Sequence, residues 1–283
     1  MNNAIEIKGL DVALCGFKLK NINMEIPKGV VVGLIGKNGA GKTTLIKTLT
    51  DVYLPEKGTI SYDGRNMYEN AVEIKQSLGI VYDDMYYPSG FKAKKIVKMI
   101  APLYPDFDMD KWHELMKKFG LDEKKRPIEY SKGMQMKFML AMVLARNPKI
   151  LILDEPTAGM DPAARAELME LLQEYMMNDE NTILFSTHIT SDLDKIADYI
   201  AVMSDGELVV MEEKDRLLSE YALVQISKEA MTNELREKLV GLKENAFGYI
   251  GLTANRDSIT ESDNVKLKRP TVEDLIVYGE KYE

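Results

Sequence analysis

The chain has 283 residues, 45% of them hydrophobic and 29% charged, and a net charge of −8. That is the composition of a globular protein with one large domain, or a large one and a small one, and its acidity argues against a general nucleic-acid binder. No apolar run approaches the roughly 20 residues of a membrane-spanning helix, no secretory leader is visible, and Cys15 alone cannot form an internal disulfide, so a reducing, cytosolic setting with Cys15 buried is expected.

Ile5, Ile7, Leu10 and Val12 are spaced as in a strand, and Ile22, Met24 and Ile26 repeat the alternation. Pro27-Lys28-Gly29 turns the chain into residues 30–35, apolar throughout, as in a strand covered on both faces. Residues 58–64 read as a short strand ending in a turn. From 88 to about 147 the pattern is helical, with Ile96, Val97 and Ile100, then Leu115, Met116 and Phe119 before a closing Gly120. Residues 150–153 and 182–186 are two further buried strands, with a helix over 162–177 between them. Strands alternating with helices predict a doubly covered parallel sheet. Beyond 218 the pattern predicts a strand over 222–226, a helix over 231–240 and a strand over 247–252. A polar, turn-rich stretch follows over 255–268, and then a last helix with Thr271 as N-cap.

Between the strand at 30–35 and the next helix stands Gly36-Lys37-Asn38-Gly39-Ala40-Gly41-Lys42-Thr43-Thr44. It fits G-x-x-x-x-G-K-[ST] at every fixed position and sits in the strand–loop–helix context that a phosphate cradle requires. Glycines let successive backbone N–H groups converge on one anion, and the helix adds its partly positive N-terminus. Lys42 is then a point charge for the β- and γ-phosphates, and the Thr43 hydroxyl a Mg²⁺ ligand.

The strand at 150–153 runs into Asp154-Glu155-Pro156, two carboxylates where the chain begins to turn. There Asp154 can face the metal while Glu155 faces an attacking water. Gly36, Asp154 and Ser186 all lie just past strand ends, so these motifs meet at one edge of the sheet, where ligands of such folds bind. Tyr130-Ser131-Lys132-Gly133-Met134-Gln135 opens a helix with Ser131 placed as an N-cap. Thr157-Ala158-Gly159-Met160-Asp161 follows the carboxylates, and His188 follows the strand ending at Ser186.

With these motifs in this order, residues 4–215 resemble the nucleotide-binding subunit of an ATP-binding cassette (ABC) transporter. The resemblance is to the bacterial export branch of peptide-toxin and antibiotic exporters, phenol-soluble modulin exporters among them. It implies an α/β P-loop NTPase cassette over 1–218: a parallel core sheet with helices on both faces, an antiparallel N-terminal sheet, and a helical subdomain at about 88–147. A small α+β accessory domain over 219–283 follows. It implies an ATPase that binds ATP and Mg²⁺ at a dimer interface and powers export through a separate transmembrane permease subunit, at the cytoplasmic face of the membrane. The second cassette is another copy or a paralogue, and no nucleic acid is involved. Residues 36–44 of one subunit hold the phosphates. Ser131 and Gly133 of the other close on the γ-phosphate, with Asp161 at the same interface. Glu155 orients the attacking water and takes its proton, and His188 contacts the γ-phosphate.

Three departures stand out. Lys132 and Met134 replace a commoner glycine and glutamine. Asp83 stands where the family usually has glutamine, and is expected as a Mg²⁺ or water contact. Leu14 occupies the place of an adenine-stacking aromatic, which shifts that role to Phe17. Tyr86, Tyr87 and Phe91, just beyond Asp83, are anchors for a membrane subunit or else core packing at a helix entrance. The rival functions are an ABC-type ATPase with no membrane partner, serving DNA or translation, and a nucleotide-dependent regulator.

Overall fold

The computed structural model describes residues 3–278. β1 (Asn3–Leu14) and β2 (Phe17–Pro27) form an antiparallel hairpin whose inner face carries Ile5, Ile7, Leu10, Leu19, Ile22 and Ile26, all fully buried. Cys15 lies in the turn between them and is exposed, contrary to expectation, because a two-residue turn offers no interior to receive it. β3 (Val31–Ile35) is buried at every position and leads through a loop into α1 (Lys42–Leu49). β4 (Lys57–Tyr62) and β5 (Arg65–Asn66) complete an antiparallel sheet of order β2-β1-β4-β5.

α2 (Ala71–Ser77) precedes β6 (Leu78–Val81). The helical stretch resolves into α3 (Ala93–Ile100), α4 (Met109–Lys118) and α5 (Lys132–Leu144), with Trp112 and Phe138 fully buried among them. β7 (Ile150–Asp154), α6 (Pro162–Tyr175), β8 (Thr182–Ser186), α7 (Thr190–Ile196) and β9 (Tyr199–Ser204) follow, and β10 (Glu207–Glu213) returns along β9. Asp205 and Gly206 take φ of 46° and 83°, the left-handed pair that a two-residue hairpin loop needs. This second sheet has the order β10-β9-β3-β8-β7-β6, parallel except for the β9–β10 pair. Its order sets the carboxyl end of β8 between those of β3 and β7.

The last quarter begins with α8 (Lys214–Glu220) and β11 (Ala222–Ser227). The helix expected over 231–240 is only α9 (Asn233–Glu237), capped by Thr232, and the chain is back in a strand, β12 (Val240–Asn245), by its end. β13 (Gly248–Thr253) was expected. The turn-rich stretch holds an edge strand, β14 (Val265–Lys268). The third sheet has the order β12-β13-β11-β14, antiparallel throughout. In α10 (Val272–Tyr278), entered through Thr271, whose hydroxyl accepts the Asp274 N–H at 3.2 Å, Val272 and Leu275 are buried. They join Leu193 and Ala197 in the main hydrophobic core, and α10 packs on α7. Val224, Ile226, Leu239, Ile259 and Val265 form a small core of their own. Among the described residues no helix is long and apolar enough to cross a membrane.

Candidate functional site

Everything the sequence placed past strand ends converges at the carboxyl edge of the second sheet. β3 delivers Gly36, whose missing side chain matters: a Cβ there would lie 2.4 Å from the Met203 carbonyl oxygen. Gly41, at φ 108°, forms the N-cap of α1 without any side-chain cap, so the first-turn N–H groups keep their anion-binding capacity. Asn38 and Gly39 form the exposed tip of the loop, while Ala40 is buried and its N–H donates to the Lys37 carbonyl at 3.1 Å. Lys42 is buried and folds back on the loop, donating from Nζ to the Gly36 carbonyl at 2.8 Å. Thr43 and Thr44 are half-buried on the same turn.

Asp154 ends β7 with no exposed surface. The Ser186 hydroxyl, from the adjacent end of β8, donates to its Oδ1 at 2.6 Å. Oδ2 is buried without a hydrogen-bond partner. Burial pushes the Asp154 carboxyl above its ordinary value. The Ser186 and Thr43 hydroxyls oppose this, and the negative charges of Asp83 and Glu155 add to it. A buried carboxyl with an orphaned oxygen and the Thr43 hydroxyl beside it is a hard-oxygen corner that suits Mg²⁺ together with substrate phosphates. Among the described residues no group of three or more His, Cys, Asp and Glu side chains could hold a metal by itself, so such an ion would draw the rest of its shell from water and substrate.

Glu155 is one of the few non-glycine residues in the left-handed region, at φ 49°. Its N–H is held by the Ser186 hydroxyl at 3.0 Å and the Ser186 carbonyl at 3.1 Å. The turn aims its carboxylate at the cradle. Oε1 lies 3.7 Å from Lys42 Nζ, and Oε2 lies 2.6 Å from His188 Nδ1 and accepts the His188 backbone N–H at 3.2 Å. Ser186 thus holds the Asp154 carboxylate and the Glu155 backbone at once, a role the sequence reading missed. The available signal was a small hydroxyl residue ending the strand that neighbours the one bearing the carboxylates.

The other expected residues are distributed more widely. Phe17 sits at the cradle: a Cβ on Gly41 would meet its Cζ at 2.9 Å. Asp161 is exposed and acts in this chain as the N-cap of α6, accepting the Ala163 and Ala164 N–H groups at 3.0 Å each. Ser131 caps α5 through the Met134 N–H at 3.3 Å. Gly133 adjoins Ala164 and Met160, and Lys132 lies against Gly159, so the 131–133 segment rests on the 159–164 segment. Asp83 is exposed in a cleft shared with Asp84, Lys132, Gln135, Pro156 and Met160. Of the three aromatic anchor candidates, Tyr86 is exposed, while Tyr87 and Phe91 pack on the core, Tyr87 edge-on to Phe138 at 5.6 Å. His113 pairs with Glu123 on α4, away from these residues.

Comparison with known proteins yields a consistent set. The ABC transporter family pattern matches residues 19–158. The ABC transporter ATP-binding protein YtrB of Bacillus subtilis is 29% identical over 86% of this chain and 83% of its own length. The lantibiotic transport ATP-binding protein SrtF of Streptococcus pyogenes is 34% identical over 70% and 85%. The bacitracin transport ATP-binding protein BcrA of Enterococcus faecalis is 32% identical over 68% and 63%. A solved ATP-binding subunit of an ABC transporter superimposes with a TM-score of 0.70 at 25% identity, covering 76% of this chain and 92% of that one. The cbiO1 subunit of Clostridium perfringens superimposes with a TM-score of 0.66 at 27% identity, covering 78% and 92%.

Proposed function

The chain belongs to the ABC transporter family as an ATP-binding, ATP-hydrolysing subunit, and from this premise we propose that it drives export through a separate transmembrane permease on the cytoplasmic face of a bacterial membrane. The proposed cargo is a peptide of the toxin or antimicrobial kind, phenol-soluble modulins included, by likeness to relatives named for lantibiotic and bacitracin transport. Residues 1–218 form the cassette, with its helical part at about 88–147, and 219–283 an accessory unit.

Gly36, Asn38, Gly39, Ala40, Gly41, Lys42, Thr43 and Thr44 cradle the triphosphate, with Phe17 as platform for the base. Lys42 leaves the Gly36 carbonyl to meet the phosphates. Thr43 and Asp154, with Asp83 through water, would hold Mg²⁺, which when bound would neutralise phosphate charge. Glu155 orients the attacking water and accepts its proton, and His188 fixes the Glu155 carboxylate. A second subunit, a copy or a paralogue, closes the site with its Ser131, Gly133 and Asp161. Excluding water between the subunits strengthens each helix-end contact. Two copies at −8 each repel only weakly across salt, which screens beyond about 8 Å, so closure depends on the nucleotide bridge.

The observation that carries this reading is Glu155 held between Lys42 and His188 beside the orphaned oxygen of Asp154. Its test is light scattering of the purified protein with ATP, with ADP and with nothing bound, on the wild type and on Glu155→Gln. ATP should give a dimer that Glu155→Gln traps without turnover. The same association state under all three conditions would refute the clamp.

A further inference from the structure

One ion pair, its carboxylate buried and its guanidinium half-buried, lies outside the machinery just described and joins its parts. Arg165, on the first turn of α6, donates from Nε to Asp192 Oδ1 at 2.5 Å, and its Nη2 donates to the Ser191 hydroxyl at 2.8 Å. Asp192, on the first turn of α7, has no exposed surface, and its Oδ2 is buried without a partner. Each end of the pair is one helical turn from a motif. The Arg165 N–H donates to the carbonyl of Asp161, the α6 cap, and Asp192 stands four residues after His188.

The surroundings make the link rigid. Ala164, next to Arg165, lies against Gly133 of the 131–133 segment. Leu193, next to Asp192, fills the space that Gly33 leaves open on β3, where a Cβ would meet it at 2.7 Å. The ion pair thus spans from the segment that packs on residues 131–133 to the segment that carries His188. An ion pair whose carboxylate is buried with one oxygen left unsatisfied is a poor source of stability, and apolar replacement of both partners is often neutral or stabilising. Its orientation is what an apolar pair would not reproduce, since the guanidinium fork fixes direction as well as distance.

We propose that Arg165 and Asp192 are positioning residues for ATP hydrolysis: their ion pair couples the Asp161 end of α6 to the segment that presents His188 to Glu155. The proposal rests on the reading of Glu155 and His188 given above.

The test is steady-state phosphate release by the purified full chain, resolved into kcat and KM for MgATP, with thermal unfolding in parallel. Arg165→Ala and Asp192→Asn should each lower kcat about tenfold with KM within about twofold, and Arg165→Lys should recover at least half of wild-type kcat. The double variant Arg165→Met with Asp192→Leu decides the matter if the single ones fail to fold. It should unfold at or above the wild-type midpoint yet remain about tenfold low in kcat. Wild-type kcat in the double variant, or a loss carried by KM alone, overturns the proposal. Glu155→Gln measured alongside separates the two claims. If it is inactive while the Arg165 and Asp192 variants are unimpaired, only the coupling fails; if it turns over normally, the reading of the site falls and the coupling with it.

Discussion

His188 grips Glu155 twice, through ring Nδ1 at 2.6 Å from Oε2 and through its backbone N–H at 3.2 Å from the same oxygen. An ionised carboxylate only accepts, so the ring bond puts the proton on Nδ1 and leaves Nε2 facing away from Glu155. The histidine therefore orients the base from the side opposite Lys42. His188→Ala should lower kcat about 10²-fold, the scale of a disturbed general base, with ATP affinity little changed. The amide of Asn stands where Nδ1 stands and that of Gln where Nε2 stands. His188→Asn should thus retain more turnover than His188→Gln, and the reverse order in a phosphate-release assay would place the functional nitrogen at Nε2.

Phe17 touches the cradle at Gly41, while Leu14 lies half-buried at the far side of the same hairpin turn. Base–aromatic stacking is worth roughly 1–3 kcal/mol, so Phe17→Ala should weaken ATP binding about fivefold or more and Phe17→Trp should preserve it. Titration with a fluorescent ATP analogue reads this directly. Equal affinity in both variants would assign the base to another surface.

Gly206 carries a structural demand of its own. A Cβ there would lie 2.0 Å from the Lys18 carbonyl oxygen at a backbone φ of 83°, and the Gly206 carbonyl accepts the Lys20 N–H at 2.9 Å. It is the seam between the antiparallel hairpin and the core sheet. Gly206→Ala should destabilise the fold by about 1–3 kcal/mol, seen as a thermal midpoint several degrees lower. An unchanged midpoint would mean that β2 slides away at no cost.

Asp161 supplies the acid-sensitive cap. The Ala164 N–H, with that of Ala163 and the charge of Lys137, holds its carboxyl below the ordinary 3.8 despite partial desolvation. A depressed carboxylate stabilises the fold above the unfolded value and loses that contribution as pH falls through the folded one. The wild type should therefore lose stability below about pH 3.8 more steeply than Asp161→Asn, which keeps a capping oxygen but cannot titrate. Parallel acid-unfolding curves would remove Asp161 from this role.

Much of the site was legible because its signals are contiguous. The loop 36–44 and the pair Asp154-Glu155 each follow an uninterrupted buried strand, and their convergence follows from strand ends in a parallel sheet. What escaped depends on distant pairing. β9 and β10 flank Asp205-Gly206, a local hairpin signal that went unread because β9 earns its burial from β3, far back in the chain. β14 shows only Val265 and Leu267 inward against Lys266 and Lys268, too short an alternation to stand out. The segment 231–240 carries helical spacing, but the third sheet takes Val240 for β12. Arg165 and Asp192 lie 27 positions apart, and only the packing of α6 beside α7 makes them partners.

Val272 and Leu275 sit in the same core as Leu193 and Ala197. Helix α10 is consequently sealed into that core. Clipping it would uncover greasy surface on the very helix that follows His188, so a shortened version made for convenience would be prone to clump, and any surviving activity in it would describe a wounded enzyme.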